Sequence, residues 1–584
     1  MCGIIGASHS YTATTHKALA TFAYRGPDAK GSFQTKDLAL AHARLSIIDP
    51  DPRSNQPFFD ARRELAIVYN GEIYNYRELR TELERVHRVT FRTSSDTEVL
   101  VEGYRVWGKE LLGRLRGMFA FAMYDARTHS VLLARDHAGV KPLYYSTEYG
   151  GLVFASELKG VVAMLRAEGC SLDIDRDAVK SYPVLGYIPS PHTLVLGIRK
   201  LERSTWLLYD LNTKQVTSGS WRPVTQDITT KTELEEAIRR SILEHCIADV
   251  PVGTFFSGGV DSSLITSVLH EAGKNLEAFS INVHGRSADE PYFRAIAQHL
   301  GVKTQIAEFG TDEFEGIYDY VLSRMDDPIA DPSIFPTTFV AQLAAKSVKV
   351  VLSGEGADEL FLGYSRGARL AHFKGSNFIP GLWNPAFLKT PAFKGKNRIF
   401  KEFAALAGDA AGYYLLQASP GRDLASSEAW QQTWRDLAAG EPPWYDRDWY
   451  LQHMLFRKLD MATSYASIEG RVPLVGTEIW NTAPHFLNEN LKDGQTKAVL
   501  KDMLARYVPR ELIDRPKAGF GIPISSLLRT STALRADIEP AISFARELGL
   551  LTRSHDEDLL LKRYPDYLFG LVTLYRSLKN LGLT

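Results

Sequence analysis

Cys2 stands directly after Met1 and before Gly3, a position where a thiol can do chemistry without a partner from elsewhere in the chain. A small residue at position 2 generally allows Met1 to be removed, and Cys2 then carries a free α-amine. An α-amine has a reference pKa of about 7.7–8.0, so it can act as general base for the neighbouring thiol. Taken alone, Cys2 is better explained as a small apolar residue at a chain end.

Residue types that suit a free amino acid recur in the stretch that follows. Arg44 can hold a carboxylate in a bidentate pair, and Glu72 and Asp96 can hold an ammonium group. The Asn70 side chain and the Gly71 N–H can form an oxyanion hole for an intermediate on the thiol. Each of these residues also has an ordinary interpretation as a turn, a cap or a surface ion pair. Their joint occurrence favours a pocket for an α-amino acid.

A second chemical signal is the string SGGVDSS at 257–263, which follows a short apolar run and precedes a helical one. Glycines let the backbone approach an anion closely, and the amides of the turn and of the helix N-terminus point at it. Asp261 does not help an anion by itself, so a bridging Mg²⁺ explains a carboxylate there. No lysine follows the glycines, so this is not a Walker A loop. The alternative is a glycine turn with a serine cap.

A third signal is the acidic string SGEGADE at 353–359, which follows the apolar run KVVL. In an open parallel sheet, loops at the carboxyl ends of the strands share one ligand crevice. Asp358 is then a candidate second Mg²⁺ ligand, and Glu355 a candidate proton acceptor or metal-facing group. The alternative is a solvated acidic turn.

The elements around these signals predict two domains. Residues 1–210 contain short β-prone runs interrupted by two helical segments, 76–86 and 96–108, which indicates an α+β layered domain. The polar stretch 211–231 reads as a linker. Over 232–584 strands alternate with helices, which indicates a parallel sheet with helices on its faces. Residues 366–450 are aromatic-rich and receive no assignment.

Composition excludes several classes of protein. The net charge of −1 gives no bulk attraction to nucleic acid or to an anionic membrane. Three scattered cysteines without a CxxC pair argue against a disulfide framework and a zinc site, and they favour a reducing, cytoplasmic location. No apolar run approaches the ~18–20 residues that span a bilayer. The N-terminus lacks the features of a secretory signal.

The motifs resemble, in order along the chain, those of a known family. MCGIIG, YRGPD, ARLSIID, YNGEIYNYREL, SSDTEVL, RGMFAFAMYD and KPLYY resemble the class II glutamine amidotransferase domain. SGGVDSS, DPIADPS, VVLSGEGADELFLGY, EGRVPL and RPKAGFGIP resemble the ATP-pyrophosphatase-type synthetase domain of the glutamine-hydrolysing asparagine synthetase family. The resemblance implies an αββα N-terminal-nucleophile sandwich, followed by an α/β parallel-sheet synthetase domain with added helices.

The resemblance also implies roles for residues at matching positions. In the first domain it implies Cys2 as nucleophile and a glutamine site of Arg44, Ile48, Asn70, Gly71, Glu72 and Asp96, with Asn70 and Gly71 at the oxyanion. In the second it implies ATP and pyrophosphate binding by Phe256, Ser257, Gly258, Gly259, Asp261, Ser262, Ile281, Ser353 and Gly354. It implies Glu355 as a catalytic residue and Asp261 and Asp358 as Mg²⁺ ligands. The implied cofactors are ATP and Mg²⁺, and a homodimer is left open.

The reaction implied by the resemblance releases ammonia from glutamine and adds it to a carboxylate that ATP has adenylated. Aspartate is the leading acceptor, and a sugar uronate or a natural-product acid is the alternative. The alternative is kept because Met461 stands where family members carry Lys or Arg, Leu362 replaces a glycine, and RVPLVG replaces RVPFLD. Lys458 or Lys517 is a candidate substitute for the missing cation. Other rivals are a cyclising synthetase without glutaminase activity and a non-catalytic protein with degenerate sites, and the intact motifs argue against both.

Overall fold

The structure is a computed structural model, and it describes residues 1–284, 290–371, 414, 417–418, 433, 444–514, 521–552 and 554–584. The first half of the chain is built on twelve strands. They are β1 (Gly3–Ser8), β2 (Ala29–Gln34), β3 (Leu38–Arg44), β4 (Phe58–Phe59), β5 (Leu65–Ile73), β6 (Gly117–Asp125), β7 (Ser130–Arg135), β8 (Tyr144–Ser146), β9 (Val153–Ala155), β10 (Arg199–Lys200), β11 (Thr205–Asp210) and β12 (Val216–Ser220).

These strands form two six-stranded antiparallel sheets, with the orders β10-β8-β9-β1-β3-β2 and β12-β11-β7-β6-β5-β4. Alternate residues of a strand point to opposite faces, and this alternation builds the core. Ala66 and Val68 of β5 share a buried cluster with Ala120 and Ala122 of β6 and with Ile4 of β1. The two sheets therefore face each other across this cluster.

Helices cover the outer faces of the two sheets. They are α1 (Thr15–Leu19), α2 (Tyr76–His87), α3 (Asp96–Trp107), α4 (Leu111–Arg114), α5 (Leu158–Ala167) and α6 (Arg176–Leu185). Helix α3 lies against β4 and β5, whereas α1 and α5 lie against strands of the other sheet. The predicted αββα sandwich is confirmed.

The second half is built on a five-stranded parallel sheet. Its strands are β13 (Val252–Phe255), β14 (Glu277–Val283), β15 (Lys303–Phe309), β16 (Val350–Leu352) and β17 (Glu469–Arg471). The order is β15-β14-β13-β16-β17, and every neighbouring pair is parallel. The chain runs outward from β13 to β15 and then resumes on the other side of β13 with β16, so the order reverses between β13 and β16. In such sheets, ligands bind outside the carboxyl ends of the strands at that point.

Helices surround the parallel sheet and extend beyond it, as predicted. They are α7 (Lys231–Glu244), α8 (Val260–Glu271), α9 (Glu290–Leu300), α10 (Thr311–Leu322), α11 (Ile334–Ala344), α12 (Ala357–Leu360), α13 (Ser365–Ala371), α14 (Phe456–Tyr465), α15 (Thr477–Thr482), α16 (Leu487–Asn490), α17 (Ala498–Leu504), α18 (Arg510–Ile513), α19 (Ile524–Thr530), α20 (Thr532–Glu547), α21 (Glu557–Arg563) and α22 (Pro565–Asn580). A π-helical segment, Asp446–Leu455, leads into α14.

The stretch 211–231, which the sequence predicts to be a linker, includes a strand. This strand is β12, whose residues 216–220 pair antiparallel with β11. Alternating Thr and Ser side chains suit an exposed edge strand as well as a linker, and composition does not separate the two. Helix α7 then begins at Lys231, because the Thr230 side chain accepts the Glu233 N–H in a capping box. Much of 366–450 and Lys517 lie outside the described residues.

None of the helices in the described ranges is long and apolar enough to cross a membrane.

Candidate functional site

Cys2 and Asn70 meet at one end of the sandwich. Cys2 has the same parity as Ile4, whose side chain lies between the sheets, and Asn70 continues the inward series of Ala66 and Val68. The main-chain N–H of Cys2 donates to Asn70 Oδ1 at 3.0 Å. The fold therefore brings together two predicted residues from different strands of different sheets.

The Cys2 thiol lies in surroundings that require a base. Its Sγ is 3.8 Å from the Leu45 carbonyl, and burial raises the pKa of the thiol above its ordinary value. Little thiolate is therefore present at neutral pH. Arg25 Nε donates to the Cys2 carbonyl at 3.0 Å, which fixes the main chain on the other side. Met1 is buried, and its removal would leave the free α-amine at the nitrogen that Asn70 holds.

The Asn70 amide group offers a donor beside the thiol. Its Nδ2 is buried and makes no hydrogen bond within the described part of the chain. Leaving such a donor unpaired costs about 1–3 kcal/mol, so a ligand atom is expected opposite it. Gly71 is the next residue, with φ of 155°. A Cβ there would lie 2.1 Å from the Met118 carbonyl, so no other residue fits.

Glu72 and Asp96 place two buried carboxylates near this donor. Helix α3 begins at Asp96 because the Ser95 side chain accepts the Glu98 N–H. Asp96 Oδ2 accepts the Tyr69 hydroxyl at 2.9 Å, and burial raises the pKa of Asp96 to about 6. Burial, with the Asp96 charge added, raises the pKa of Glu72 well above its ordinary value. Within the described residues, Glu72 Oε1 is buried without a hydrogen bond.

Arg44 occupies a different setting from the one expected of an open bidentate site. Its Nη2 donates to the Ile48 carbonyl at 3.2 Å and to the Asp49 carbonyl at 2.6 Å. Its Nη1 donates to the Asp51 carbonyl at 3.0 Å and to Asn55 Oδ1 at 2.8 Å. Both terminal nitrogens therefore hold the loop after β3, which includes Ile48. A carboxylate can pair with Arg44 in a bidentate manner only if some of these bonds are given up.

The raised pKa of Asp96 leads to a prediction about how ligand binding depends on pH. The sequence predicts that Asp96 holds the ammonium group of glutamine, and that role needs the ionised carboxylate, so the prediction implies a KM for glutamine that rises as the pH falls below about 6. Tyr69→Phe removes a donor to the ionised form, so it should move this rise to higher pH. Tyr76→Phe is the control, since that hydroxyl accepts from Arg77 Nε instead. Steady-state kinetics of glutamine hydrolysis between pH 5 and 8 test this, and a flat KM would contradict it.

The same group affects stability with the opposite sign. The folded-state pKa of Asp96, about 6, lies above its ordinary value of 3.8. Its contribution to folding is therefore complete below pH 3.8 and is lost as the pH rises through about 6. Ammonium binding thus requires the ionised form of Asp96, whereas its protonated form contributes to the stability of the fold.

The string SGGVDSS lies where the sheet order reverses. Ser257 to Gly259 connect β13 to α8, which begins at Val260. Gly258 has φ of 70°, and a Cβ there would lie 2.5 Å from Phe293 Cβ, so the tight turn requires glycine. Ser262 Oγ lies 3.2 Å from Ser257 Oγ, which closes the turn on itself.

The acidic string lies beside this turn. Ser353 to Gly356 connect β16 to α12, and β16 is the parallel neighbour of β13. A Cβ on Gly354 would lie 2.8 Å from Asp261 Cβ, so the acidic loop touches the first turn of α8. On the other side, Phe256 donates its N–H to the Phe279 carbonyl of β14, two residues before Ile281. The predicted nucleotide residues are therefore gathered along one edge of the sheet.

Lys497 is a central residue of this edge that the sequence did not single out. Its Nζ lies 2.6 Å from Asp261 Oδ2 and 2.7 Å from Asp358 Oδ1, so one ammonium joins the first turns of α8 and α12. Both carboxylates raise the pKa of Lys497 against the effect of burial. Its backbone has φ of 55°, the left-handed region that few residues other than glycine adopt. Strained residues of this kind cluster at functional sites.

Lys458, one of the two candidate substitutes for the cation missing at Met461, is buried beside the acidic loop. Its Nζ lies 3.1 Å from Glu355 Oε1 and 3.3 Å from Asp331 Oδ2. Met461 lies one turn further along α14, and its side chain is buried and uncharged. Lys458 therefore contacts the acidic loop, whereas Lys517 lies outside the described residues. Leu362, which replaces a glycine of the family motif, has φ of 56°, the conformation that glycine adopts at least cost.

The donor set fits Mg²⁺ as part of a nucleotide complex. Asp261 and Asp358 lie close enough to share one ammonium, and carboxylate oxygens are hard ligands that Mg²⁺ accepts. In the described part of the chain, no cluster of three or more His, Cys, Asp or Glu side chains could hold a metal ion. Mg²⁺ usually binds through one or two carboxylates together with substrate phosphates, so two carboxylates suffice here.

Comparison with known proteins identifies both halves of the chain. Residues 1–221 match the family model described as a glutamine amidotransferase domain, and residues 233–566 match the model described as asparagine synthase. A putative asparagine synthetase [glutamine-hydrolyzing] of Mycobacterium tuberculosis is 32% identical, over 91% of this chain and 89% of that protein. The asparagine synthetase [glutamine-hydrolyzing] 1 of Bacillus subtilis is 32% identical, over 91% and 88%. An amidase, chyE, of Penicillium rubens is 29% identical, over 58% and 53%.

Sequence reasoning missed the charged residues that join the two halves. Arg25 forms a buried bidentate pair with Asp460, at 2.8 and 2.9 Å, and Arg471 pairs with Glu72 at 2.7 Å. Each contact joins residues that are far apart in the chain, so no local pattern marks it. The available signal was the pair of arginines inside the strings YRGPD and EGRVPL, which were read as motifs without a partner.

Proposed function

The chain belongs to the glutamine-hydrolysing asparagine synthetase family, and we propose that it aminates a carboxylate with ammonia from glutamine at the expense of ATP. One observation carries the proposal: the Cys2 nitrogen lies 3.0 Å from Asn70 Oδ1, while Asn70 Nδ2 is buried without a partner among the described residues. This arrangement supports a nucleophile and an oxyanion donor at one end of the sandwich. The boundary between the two domains is proposed to follow β12, near residues 221–230.

The first step of the proposed mechanism takes place at Cys2. The free α-amine removes the thiol proton, and Sγ attacks the side-chain carbonyl carbon of glutamine. Asn70 Nδ2 and the Gly71 N–H donate to the developing oxyanion. The amine returns the proton to the leaving nitrogen, so ammonia departs and a thioester remains on Cys2. Water then hydrolyses the thioester and releases glutamate.

Glu72 and Asp96 are proposed to hold the α-ammonium of glutamine, and Arg44 to hold its carboxylate. The buried Oε1 of Glu72 and the ionisable Asp96 supply negative charge for the ammonium. Arg44 is the last residue of β3 and its guanidinium donates to the loop that contains Ile48, so the carboxylate would replace some of the main-chain acceptors of that loop. Ile48 is proposed to line the pocket.

The second step takes place at the edge of the parallel sheet. An oxygen of the acceptor carboxylate attacks the α-phosphorus of ATP, and pyrophosphate leaves toward the loop of Ser257, Gly258, Gly259 and Ser262. Mg²⁺, held by Asp261 and Asp358, would neutralise charge on the phosphates. Ammonia attacks the carbonyl carbon of the acyl-adenylate, AMP leaves, and Glu355 is proposed to accept the proton that the nitrogen loses. Phe256, Ile281, Ser353 and Gly354 are proposed to contact the nucleotide.

Aspartate is the proposed acceptor, which gives asparagine, because the relatives that match most of the chain are named asparagine synthetases. A second candidate is another carboxylic acid. It is favoured by Met461, which is buried and uncharged at the position expected to be basic, and by Lys458, which already bridges Asp331 and Glu355. A cytoplasmic location is also proposed, in line with three free cysteines.

A panel of acceptors tests the proposal. The protein is supplied with glutamine, Mg-ATP and one carboxylic acid at a time, and the release of AMP and pyrophosphate is followed. We expect aspartate-dependent release, with one asparagine formed for each AMP. Release with another acid and not with aspartate would replace aspartate as the acceptor. No release with any acid, together with no hydrolysis of glutamine, would contradict the proposed function.

A separate prediction concerns the oxyanion donor. Asn70→Asp keeps an oxygen that can accept from the Cys2 nitrogen, but it replaces the Nδ2 donor with a second oxygen. Loss of such a donor typically costs about 10²–10³-fold in kcat. We therefore expect the kcat of glutamine hydrolysis to fall by about that factor, while ammonia-driven synthesis persists. Asn212→Asp is the control, because Asn212 is exposed and contacts His129, not Cys2 or Arg44. An unchanged kcat in the Asn70 variant would remove Asn70 from the mechanism.

A further inference from the structure

Arg471 is a residue of the second domain whose side chain reaches the glutamine pocket of the first. It is fully buried at the end of β17. Its Nη2 donates to Glu72 Oε2 at 2.7 Å, and its Nε donates to Glu469 Oε1 at 2.8 Å. Its Nη1 donates to the carbonyls of His245 and Ile247, at 2.9 and 2.6 Å. The guanidinium is therefore held on three sides by the second domain and presents its fourth contact to Glu72.

The other carboxylate oxygen of Glu72, Oε1, is the atom through which this contact can affect ligand binding. Oε1 is buried and accepts no hydrogen bond from the described residues, although Oε2 is firmly held. An isolated buried carboxylate is costly and tends to take up a proton. The guanidinium of Arg471 opposes the rise in the pKa of Glu72 that burial and Asp96 produce. Arg471 thus fixes the orientation of Glu72 and favours its charged form, and Oε1 remains available for a cationic donor.

The main chain of Arg471 gives this contact a rigid support. β17 pairs in parallel with β16, and the Arg471 carbonyl accepts the Ser353 N–H at 2.8 Å. Ser353 begins the acidic loop of the nucleotide edge. One residue therefore contacts the glutamine pocket through its side chain and the nucleotide loop through its backbone. A side chain anchored in a sheet positions its partner more closely than one on a free loop.

We propose that Arg471 is a positioning residue for glutamine, supplied by the synthetase domain, and that it orients Glu72 to receive the substrate ammonium. The inference rests on the proposed function, because it takes glutamine as the ligand of the pocket. It goes beyond that function in assigning part of the glutamine affinity to a residue of the other domain. The glutamine pocket is then complete only when the two domains meet at this contact.

The test compares variants of the full-length protein in two assays. Arg471→Met removes the charge with little change in volume, Arg471→Lys keeps the charge, and Glu72→Gln removes the carboxylate. Each variant is measured for the KM and kcat of glutamine hydrolysis and for the kcat of ammonia-driven synthesis. Lys349→Met is the matched control, because Lys349 makes a different contact between the domains, to Asp28 at 2.7 Å.

We expect Arg471→Met to raise the KM for glutamine about tenfold or more, in line with loss of a hydrogen bond to a charged group. The ammonia-driven kcat should change far less, and Arg471→Lys should recover part of the affinity. Adding Arg471→Met to Glu72→Gln should raise the KM little further, because residues in one network are not additive. If Arg471→Met does not fold, the coupling between the two residues is measured with Arg471→Lys, Glu72→Gln and the double variant that carries both.

An unchanged KM in folded Arg471→Met would overturn the inference, and so would fully additive effects of the two substitutions. Equal losses in both assays, with no recovery in Arg471→Lys, would assign Arg471 a purely structural role and would also overturn it. Failure of the proposed function is distinguishable, because the unaltered protein would then hydrolyse no glutamine. The Lys349→Met control should keep the KM of the unaltered protein.

Discussion

Replacement of Cys2 by alanine is expected to abolish glutamine-driven synthesis and to leave ammonia-driven synthesis intact. Ammonia reaches the second site directly when it is supplied in solution, so the missing nucleophile affects only its release from glutamine. Removal of a catalytic nucleophile commonly costs about 10³-fold or more in kcat. We expect a loss of at least that size, about 10³-fold, in glutamate release.

The Cys2 prediction has a matched control in Cys170→Ala. Cys170 is also half-buried and free, but its thiol lies 3.6 Å from the Tyr11 hydroxyl, away from Asn70. That variant should keep both activities. Glutamine-driven product that persists in Cys2→Ala would contradict the assignment of the nucleophile. Loss of ammonia-driven product in the same variant would contradict the separation of the two sites.

Replacement of Lys497 by methionine is expected to reduce synthesis and to leave glutamine hydrolysis intact, which is the opposite of the result expected for Cys2→Ala. The ammonium that pairs with both Asp261 and Asp358 is lost, and these two carboxylates are the proposed Mg²⁺ ligands beside the pyrophosphate loop. Electrostatic stabilisers of a transition state are typically worth about 10²–10³-fold. We expect synthesis from glutamine and from ammonia to fall by about that factor, while glutamine hydrolysis continues.

A control for Lys497 lies one helical turn further along the chain. Lys501 is on α17 and its Nζ lies 3.7 Å from Asp514, away from both loops. Lys501→Met should keep synthesis near the level of the unaltered protein. Because removal of a buried partner also destabilises, by about 3–5 kcal/mol in typical cases, the melting temperature is measured beside activity. Folded Lys497→Met with unchanged AMP release would contradict the role given to Lys497.

Much of the architecture followed from local signals. The β-prone runs LAIVYNGEIYN and GMFAFAMYD predicted strands, and they form β5 and β6, which are buried along nearly their whole length. The strings SGGVDSS and SGEGADE each followed a predicted strand, so a parallel sheet implied that they would be neighbours. The pairing of β13 with β16 makes them neighbours.

The residues that sequence did not reveal act over long distances in the chain. Lys497 contacts Asp261 across 236 positions, and Arg471 contacts Glu72 across 399. A single lysine or arginine has no sequence periodicity or turn signal from which its contact partner could be predicted. Arg44 illustrates the opposite limit: its residue type indicated a carboxylate partner, yet its guanidinium holds main-chain carbonyls of the loop beside it. β12 was missed because a polar edge strand and a linker share a composition.

The most direct test of the account follows the amide nitrogen of glutamine. Glutamine labelled with ¹⁵N in the side-chain amide is supplied with Mg-ATP, aspartate and unlabelled ammonium at low concentration, and the product is examined by mass spectrometry. The account predicts that ¹⁵N appears in the amide of the product, with one AMP and one pyrophosphate released for each molecule of product. Product that carries only unlabelled nitrogen, or labelled product without AMP, would contradict it.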